Sequence, residues 1–171
     1  MGGEVEAAIR GRRTHKAFGA TPVPRGTLEE LLELARWAPN HRLTQPWRFR
    51  VLGPETLRRL QEAGGAAEAA KLERAPTLVL ATAALSGDEV QDEEDLHAVA
   101  VAAYIVLLAA HARGLAGYWR TPELLRTEAG RAAVGLAANE RVVALIHLGE
   151  TVTEPPAKER LGTEHYVEFS S

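Results

Sequence analysis

The sequence lacks cysteine altogether, and this absence excludes disulfide bonds, thiolate metal sites and cysteine nucleophiles. It also lacks a P-loop and a GxGxxG turn, which disfavours a Rossmann-type dinucleotide site. The six histidines are too widely spread to form an HExxH-like metal pair, and no G-x-S-x-G elbow supports a hydrolase. We therefore assign no metal site and no catalytic nucleophile.

An excess of positive charge is lacking as well, because the formal net charge is −3. No overall positive field attracts nucleic acid or anionic lipid, so neither is an expected partner. The N-terminal residues do not resemble a secretory signal, and a chain without cysteine suits the reducing cytoplasm, where we expect it. The most apolar run, Ala98 to Ala110, has thirteen residues. A bilayer span needs roughly 20, so the run predicts a core helix rather than a membrane anchor.

Helical and strand patterns alternate along the chain, and no domain-sized linker separates them. The pattern predicts one domain, residues 1–171, with an α+β or mixed α/β fold and about four strands. Strands are expected at 47–52, 76–85, 114–119 and 141–150, and helices at 4–10, 27–38, 54–64, 66–75, 98–110 and 126–136. Thr27 and Glu30 have the spacing of a capping box. Residues 151–171 are polar, contain proline and have no amphipathic period, which predicts an arm that is disordered or docked on another surface.

The stretch RGRRTHKAF, residues 10–18, concentrates basic side chains in this acidic protein. In an extended segment Arg12, Thr14 and Lys16 share one face, because side chains alternate along such a segment. Two cations and a hydroxyl suit a phosphate group. The alternative is a solvated basic loop near the acidic stretch at 88–95, and the residues alone leave both open. Lys158 and Arg160 repeat the alternation near the other end of the chain.

A second stretch, ARWAPNHRLTQPWRF at 35–49, predicts a helix end, a polar loop and the start of a strand. The loop offers hydrogen-bonding groups beside two indoles, and a planar heteroaromatic ligand would fit such a rim. The alternative is that Trp37 and Trp47 are core anchors and that His41 is an ordinary surface residue. A third stretch, GLAGYWRT at 114–121, allows close backbone approach at two glycines before an aromatic strand end.

Taken in order, four segments resemble the FMN-dependent nitroreductase family, particularly its small single-domain NAD(P)H nitroreductases. They are RRTHKAF, LLELARWAPNHRLTQPWRF, AAHARGLAGYWRT, and VVALIHLGE followed by KER, and the resemblance covers almost the whole chain. It implies an α+β fold with a central antiparallel-rich mixed sheet flanked by helices. It also implies an intertwined homodimer with FMN sites at the subunit interface, in which the arm at 151–171 docks on the partner.

The resemblance also assigns roles to individual residues. Arg12 would lie on the phosphate side of FMN and Lys16 near the pyrimidine edge, with Lys158 and Arg160 as a C-terminal phosphate clamp. The other implied cofactor-binding residues are Arg13 and Thr14 in the first segment, Trp119, Arg120 and Thr121 along the flavin from the same chain, and Trp37, Asn40, His41 and Gln45 in a rim from the partner subunit. Thr14 replaces the usual Ser and keeps its hydroxyl, whereas Leu43 stands where many members have an Asn that faces the flavin.

The activity implied is a ping-pong reaction in which NADH or NADPH reduces FMN, and a nitroaromatic, quinone or similar small-molecule acceptor is then reduced. No side chain need act as a general acid or base. Two other functions stay open at this point. One is a flavin-binding or sequestering protein without turnover, and the other is a basic docking patch for an acidic protein partner. The residues do not distinguish NADH from NADPH, nor one acceptor from another.

Overall fold

The computed structural model describes residues 2–170, which form a four-stranded sheet with helices on both faces. The helices are α1 (Gly2–Gly11), α2 (Arg25–Ala35), α3 (Pro54–Leu72), α4 (Glu89–Ala112) and α5 (Glu128–Ala133). The strands are β1 (Trp47–Val51), β2 (Thr77–Ala84), β3 (Leu115–Arg120) and β4 (Glu140–Glu150). Short 3₁₀ turns occur at His41–Leu43, Glu123–Arg126 and Thr163–His165.

The sheet has the strand order β1-β2-β4-β3, and each of its three pairings is antiparallel. Phe49 lies opposite Ala81, and Leu80 lies opposite Leu145. The predicted α+β fold with an antiparallel-rich sheet is therefore confirmed. Within residues 2–170 the sheet contains no parallel pair, so the parallel pairing expected of a mixed sheet is not seen in the single chain.

Two hydrophobic cores lie on opposite faces of the sheet, because successive side chains of a strand point to opposite sides. On one face, Val79 and Ile146 pack with α2 and α4. On the other, Leu80 and Leu145 pack with residues of α3 and α5. Strands covered on both faces have apolar residues at nearly every position, as β2 and most of β4 do.

The long helix α4 begins at Asp88, whose side chain accepts a hydrogen bond of 2.9 Å from the amide of Gln91. The acidic stretch at 88–95 thus forms the cap and first turns of the helix, where negative charge is favourable. Among the described residues α4 is the one helix long and apolar enough to cross a membrane by length and composition, and 44% of its most apolar window is buried. Its buried residues belong to the core, as predicted.

One helix start differs from the sequence prediction, and one predicted helix break is present. The predicted capping box is wrong, because α2 begins at Arg25 after Pro24 and no side chain caps it. Thr27 consequently lies inside the first turn. The predicted break at the glycine pair is present within α3, where Gly65 has φ 68° and interrupts the helical geometry. A positive φ is accessible to glycine at little cost, which accounts for the residue found there.

Strand β4 buries one histidine completely. His147 has no exposed surface and lies near the rings of Phe18 and Tyr118, and its two ring nitrogens have no hydrogen-bond partner within residues 2–170. Burial, together with the positive charges of Arg120 and Arg74, lowers the pKa of His147 to about 4. The imidazole is therefore neutral at neutral pH.

This burial predicts an acid-sensitive fold. Between pH 6.5 and about 4 the unfolded chain binds a proton at His147 that the folded chain does not, so stability is lost as the pH falls. From pH 7.5 to pH 5 the loss attributable to this residue is about 2 kcal/mol, several degrees in Tm. The apolar substitution H147L should make Tm less dependent on pH over this range, whereas H165L at an exposed histidine should not. An unchanged pH dependence in H147L would contradict this account.

Candidate functional site

The basic segment at residues 12–16 is extended and held at one end of the sheet. The amide of His15 donates to the carbonyl of Gly117 at 3.0 Å, and that of Gly19 donates to Glu150 at 3.0 Å. His15 is buried, whereas its neighbours Thr14 and Lys16 are exposed. The alternation expected of an extended segment is thus present, with Thr14 and Lys16 on the open face.

The C-terminal arm, residues 151–170, leaves β4 and passes beside this segment. Thr151 Oγ1 donates to the carbonyl of Gly114 at 2.9 Å, which ties the start of the arm to the turn before β3. Between the arm and the N-terminal segment lies a cleft of about 1160 Å³, which we term the basic cleft. It is lined by Glu6, Ile9, Arg10, Arg12, Arg13, Thr14, Lys16, Ala17, Thr153, Glu154, Pro155, Pro156, Ala157, Lys158, Arg160 and Tyr166.

The charge of the basic cleft is strongly positive. Its six cations face only two carboxylates, those of Glu6 and Glu154, and none of the six forms an ion pair within residues 2–170. The acidic stretch at 88–95 does not line the cleft. The alternative of a solvated basic loop near that stretch is thus not supported as regards its position, and a cleft with unpaired cations is suited to an anion.

Two adjacent arginines of the segment have different surroundings. The Arg12 guanidinium lies 5.8 Å from the centre of the Tyr104 ring, and its Nε is buried without a hydrogen-bond partner. Arg13 Nη1 instead donates to the carbonyls of Arg10 at 2.6 Å and Gly11 at 2.9 Å, near the end of α1. Carbonyls at a helix end lack intrahelical partners, so Arg13 closes the helix whereas Arg12 keeps a donor unused.

A second cleft, of about 400 Å³, lies where α2 ends and is termed the Trp37 cleft. It is lined by Arg36, Trp37, Ala38, Pro39, Asn40, Leu43 and Gln45. The side chain of Trp37 is 75% exposed, so the alternative of a core anchor is wrong for this residue. Trp47 packs partly buried against the first core, and for it the core-anchor interpretation is right.

The loop at residues 40–45 beside this cleft has an unusual backbone. Arg42, Leu43 and Gln45 have φ values of 55°, 52° and 47°, although none is glycine. Each such residue costs about 1–3 kcal/mol unless its surroundings hold it. Asn40 Oδ1 accepts from the amide of Gln45 at 2.9 Å, which closes the loop on itself. His41 does not line the cleft, and its Nδ1 instead lies 2.7 Å from Glu94 of α4.

The third predicted group, Trp119, Arg120 and Thr121, lines neither cleft of the single chain. Trp119 is half-buried against the first core, and the Arg120 guanidinium is paired with Glu68. Although burial alone would raise the pKa of the Glu68 carboxyl, its bonds to Arg120 and Lys71 bring that pKa below its usual range. The structure thus does not bring this group to the basic cleft.

Sequence reasoning missed one residue that contacts Arg12 without lining the basic cleft and three residues of the arm that do line it. Tyr104 lies beneath Arg12 but is separated from it by more than ninety residues of sequence, and its only signal was a polar ring inside an apolar run. Pro155, Pro156 and Tyr166 of the arm line the basic cleft next to the predicted Lys158. Prolines and a tyrosine in a polar tail carry no motif, so only the path of the arm identifies them.

The chain is similar to known proteins in its sequence. The family model of the nitroreductase family matches residues 9–67. Over 168 residues the chain is 30% identical to YfhC of Bacillus subtilis, classed by its name as an NAD(P)H nitroreductase, with 89% of this chain and 87% of YfhC covered. The chain belongs to the nitroreductase family. The resemblance inferred from the sequence is confirmed, and with it the assignment to an oxidoreductase class.

Solved structures agree with this assignment. A nitroreductase-like protein of Bacillus cereus has a TM-score of 0.88 at 24% identity, covering 97% of this chain and 95% of that protein, which supports the fold alone. A nitroreductase of Desulfovibrio desulfuricans, solved in complex with FMN, has a TM-score of 0.80 at 26% identity, covering 98% and 97%. The fold of the family thus extends over almost the entire chain.

The contrast between the two arginines predicts different effects on folding. The substitution R13Q removes the bonds that close α1 and should lower the free energy of unfolding by about 1 kcal/mol, or 2–4 °C in Tm. The substitution R12Q should lower Tm less than R13Q without added ligand, because the loss of the Tyr104 contact is offset by removal of a buried Nε that has no partner within residues 2–170. Thermal denaturation of both variants in phosphate-free buffer measures this difference, and a larger loss in R12Q would contradict it.

Proposed function

We propose that the chain is an FMN-dependent oxidoreductase that takes hydride from NADH or NADPH and reduces nitroaromatic, quinone or similar flat acceptors. The observation that carries this proposal is the basic cleft, where unpaired cations from the two ends of the chain face one space. Two relatives support it, since the Desulfovibrio protein was solved with FMN and YfhC is named for NAD(P)H.

The residues of the basic cleft fit FMN in charge and in size. A phosphate monoester carries a charge of −1.5 to −2 near neutral pH and accepts several hydrogen bonds. The unpartnered Nε of Arg12 is one donor for it, and Lys158 and Arg160 supply the charge. A volume of about 1160 Å³ exceeds the 300–1,000 Å³ typical of ligand sites, so it has room for a flavin and part of a second molecule.

The chemistry that FMN supplies when bound is acceptance of a hydride from NAD(P)H and delivery of two electrons to an acceptor. The protein's own residues would bind FMN and orient it. Arg12, Lys158 and Arg160 would hold the phosphate, the Thr14 hydroxyl would donate a hydrogen bond, and Lys16 would face the pyrimidine edge. A cation at that edge stabilises negative charge on the reduced ring by a few kcal/mol in a partly desolvated site. Burial lowers the pKa of His15, which favours its neutral form, and His15 transfers no proton in this scheme.

We further propose that two copies of the chain form a homodimer that completes each site. The outer face of α4 exposes apolar side chains, including Val101 at 39%. Trp37 and Leu43 are 75% exposed, and Phe169 of the arm is 94% exposed. Apolar surface of this extent in a single chain is typical of an association surface. In such a dimer the Trp37 cleft, with Asn40, His41 and Gln45 nearby, would form the rim of the partner's flavin site.

Flavin binding tests the proposal directly. The double variant K158Q/R160Q should bind FMN at least about tenfold more weakly, because two cations near the phosphate are lost, while its affinity for riboflavin changes little. The control R141Q removes an exposed arginine outside the cleft and should bind FMN as the wild type does. Quenching of flavin fluorescence measures the affinities of the wild type, the double variant and the control for FMN and for riboflavin.

The remaining outcomes separate the alternatives. Wild-type protein that binds no FMN would contradict the proposal. Protein that binds FMN but does not oxidise NADH or NADPH in the presence of nitrofurazone or menadione would be a flavin-binding protein without turnover. Salt-sensitive association of flavin-free protein with an acidic partner would instead favour the docking patch.

The dimer has its own test. Light scattering at micromolar concentration should give about twice the 18.5 kDa of one chain. The substitution V101E places a charge on the outer face of α4 and should weaken association at least about tenfold, with loss of bound FMN. V51E, at an exposed valine of the edge strand β1, is the matched control and should remain dimeric. A stable wild-type monomer would contradict the shared site.

A further inference from the structure

The loop at residues 40–45 has a conformation that its own sequence does not favour. Arg42, Leu43 and Gln45 all have positive φ values, and glycine occupies none of these positions. A short stretch of non-glycine residues relaxes to ordinary backbone angles unless surrounding groups hold it. Contacts with residues outside the loop therefore hold this conformation. They also determine the shape of the Trp37 cleft, because Leu43 and Gln45 line it.

Two contacts tie the loop to α4, and they differ in burial. His41 Nδ1 lies 2.7 Å from Glu94 Oε2, with both side chains well exposed. Thr44 Oγ1 donates to Asp95 Oδ1 at 2.6 Å, and Asp95 is only 3% exposed. Exposed pairs contribute little because water screens them, whereas a hydrogen bond to a buried carboxylate is stronger. Asp95 is the firmer of the two anchors.

The buried carboxylate is itself fixed in place. Gln91, one turn earlier on α4, donates its Nε2 to the same Asp95 oxygen at 3.1 Å. The helix is the central element of the first core, with Ala98, Val99 and Ala102 buried directly after Asp95. Thr44 is therefore bonded to a helix that is packed in the first core, and it lies between Leu43 and Gln45, two of the residues that line the cleft.

We propose that Asp95 is a positioning residue that, through the Thr44 hydroxyl, holds loop 40–45 in the backbone conformation in which Leu43 and Gln45 line the Trp37 cleft. The cleft combines an indole, an aliphatic side chain and two carboxamides with the guanidinium of Arg36, and no carboxylate lines it. Such a surface suits a flat, neutral or anionic aromatic molecule with oxygen acceptors. The inference that the Trp37 cleft binds the acceptor rests on the proposed function, whereas the inference that Asp95 holds the loop does not.

The first experiment measures the loop itself and needs no activity. The peptide bond after Arg42 is a trypsin site, and cleavage requires that the loop leave its held conformation. The substitution T44V keeps the size of Thr44 but removes its hydroxyl, and cleavage after Arg42 should accelerate about fivefold or more as local opening becomes easier. T44S keeps the hydroxyl and should be cleaved at nearly the wild-type rate. Mass spectrometry of the fragments identifies the site, with cleavage after Arg131 in α5 as the internal control.

A double-mutant cycle tests whether Asp95 acts through Thr44. If it does, D95A/T44V should be cleaved after Arg42 about as fast as T44V alone, because the second substitution removes nothing further from the loop. Rates that multiply would show that the two residues act independently and would overturn the proposal. Equal acceleration after Arg42 and Arg131 would indicate general destabilisation and would overturn it as well, as would a T44V loop cleaved at the wild-type rate.

The second experiment uses the flavin-loaded enzyme with menadione as acceptor. With FMN held in saturating excess, T44V should raise the KM for menadione about fivefold or more with kcat nearly unchanged, and T44S should restore the wild-type KM. Unchanged KM in T44V, despite faster cleavage of its loop, would overturn the role of the cleft in acceptor binding. A wild-type enzyme without turnover would contradict the proposed function instead, and the proteolysis result would still decide the role of Asp95.

Discussion

The burial of strands β2 and β4 between two layers of helices is the constraint on which the remaining structure depends. Their alternate side chains fill two separate cores, with α2 and α4 on one face and α3 and α5 on the other. Because both faces are covered, the register of these strands is firmly determined. The carbonyls of Gly117 within β3 and Glu150 at the end of β4 accept hydrogen bonds from the amides of His15 and Gly19 in the N-terminal segment. One wall of the basic cleft is therefore attached to the sheet.

Electrostatics gives that cleft its chemical character. The chain as a whole is acidic, yet six cations converge where its two ends meet, and the carboxylates at 88–95 are used at the start of α4 and in bonds to the loop at 40–45. Because the Arg13 guanidinium donates to carbonyls at the end of α1, anion binding is left to the neighbouring cations of the cleft. Net charge alone would have concealed such a local excess.

Helix α4 connects the two clefts. Near its middle, Tyr104 lies beneath the guanidinium of Arg12, and near its start Asp95 binds Thr44 of the strained loop. Because α4 is packed in the first core, both contacts are made to one well-packed element. If the outer face of α4 also forms the dimer interface, the same helix aligns the basic cleft of one protomer with the Trp37 cleft of its partner.

The sequence by itself determined the elements and the family. Apolar runs identified β2 and β4, the glycine pair located the interruption in α3, and the alternation of Arg12, Thr14 and Lys16 indicated a shared face. These features are local, so a few neighbouring residues suffice to specify them. The start of α2 was mispredicted because the helix begins at Arg25, two residues before Thr27, whose side chain suggested a cap.

Only the tertiary structure decided which groups meet. The meeting of the N-terminal segment with the arm, the paired state of Arg120 and the bond between Thr44 and Asp95 each join residues far apart in sequence. The different surroundings of Arg12 and Arg13 likewise follow from where α1 ends and where α4 lies. Contacts of this kind depend on how the helices pack across the sheet, and no spacing in a single sequence encodes that packing.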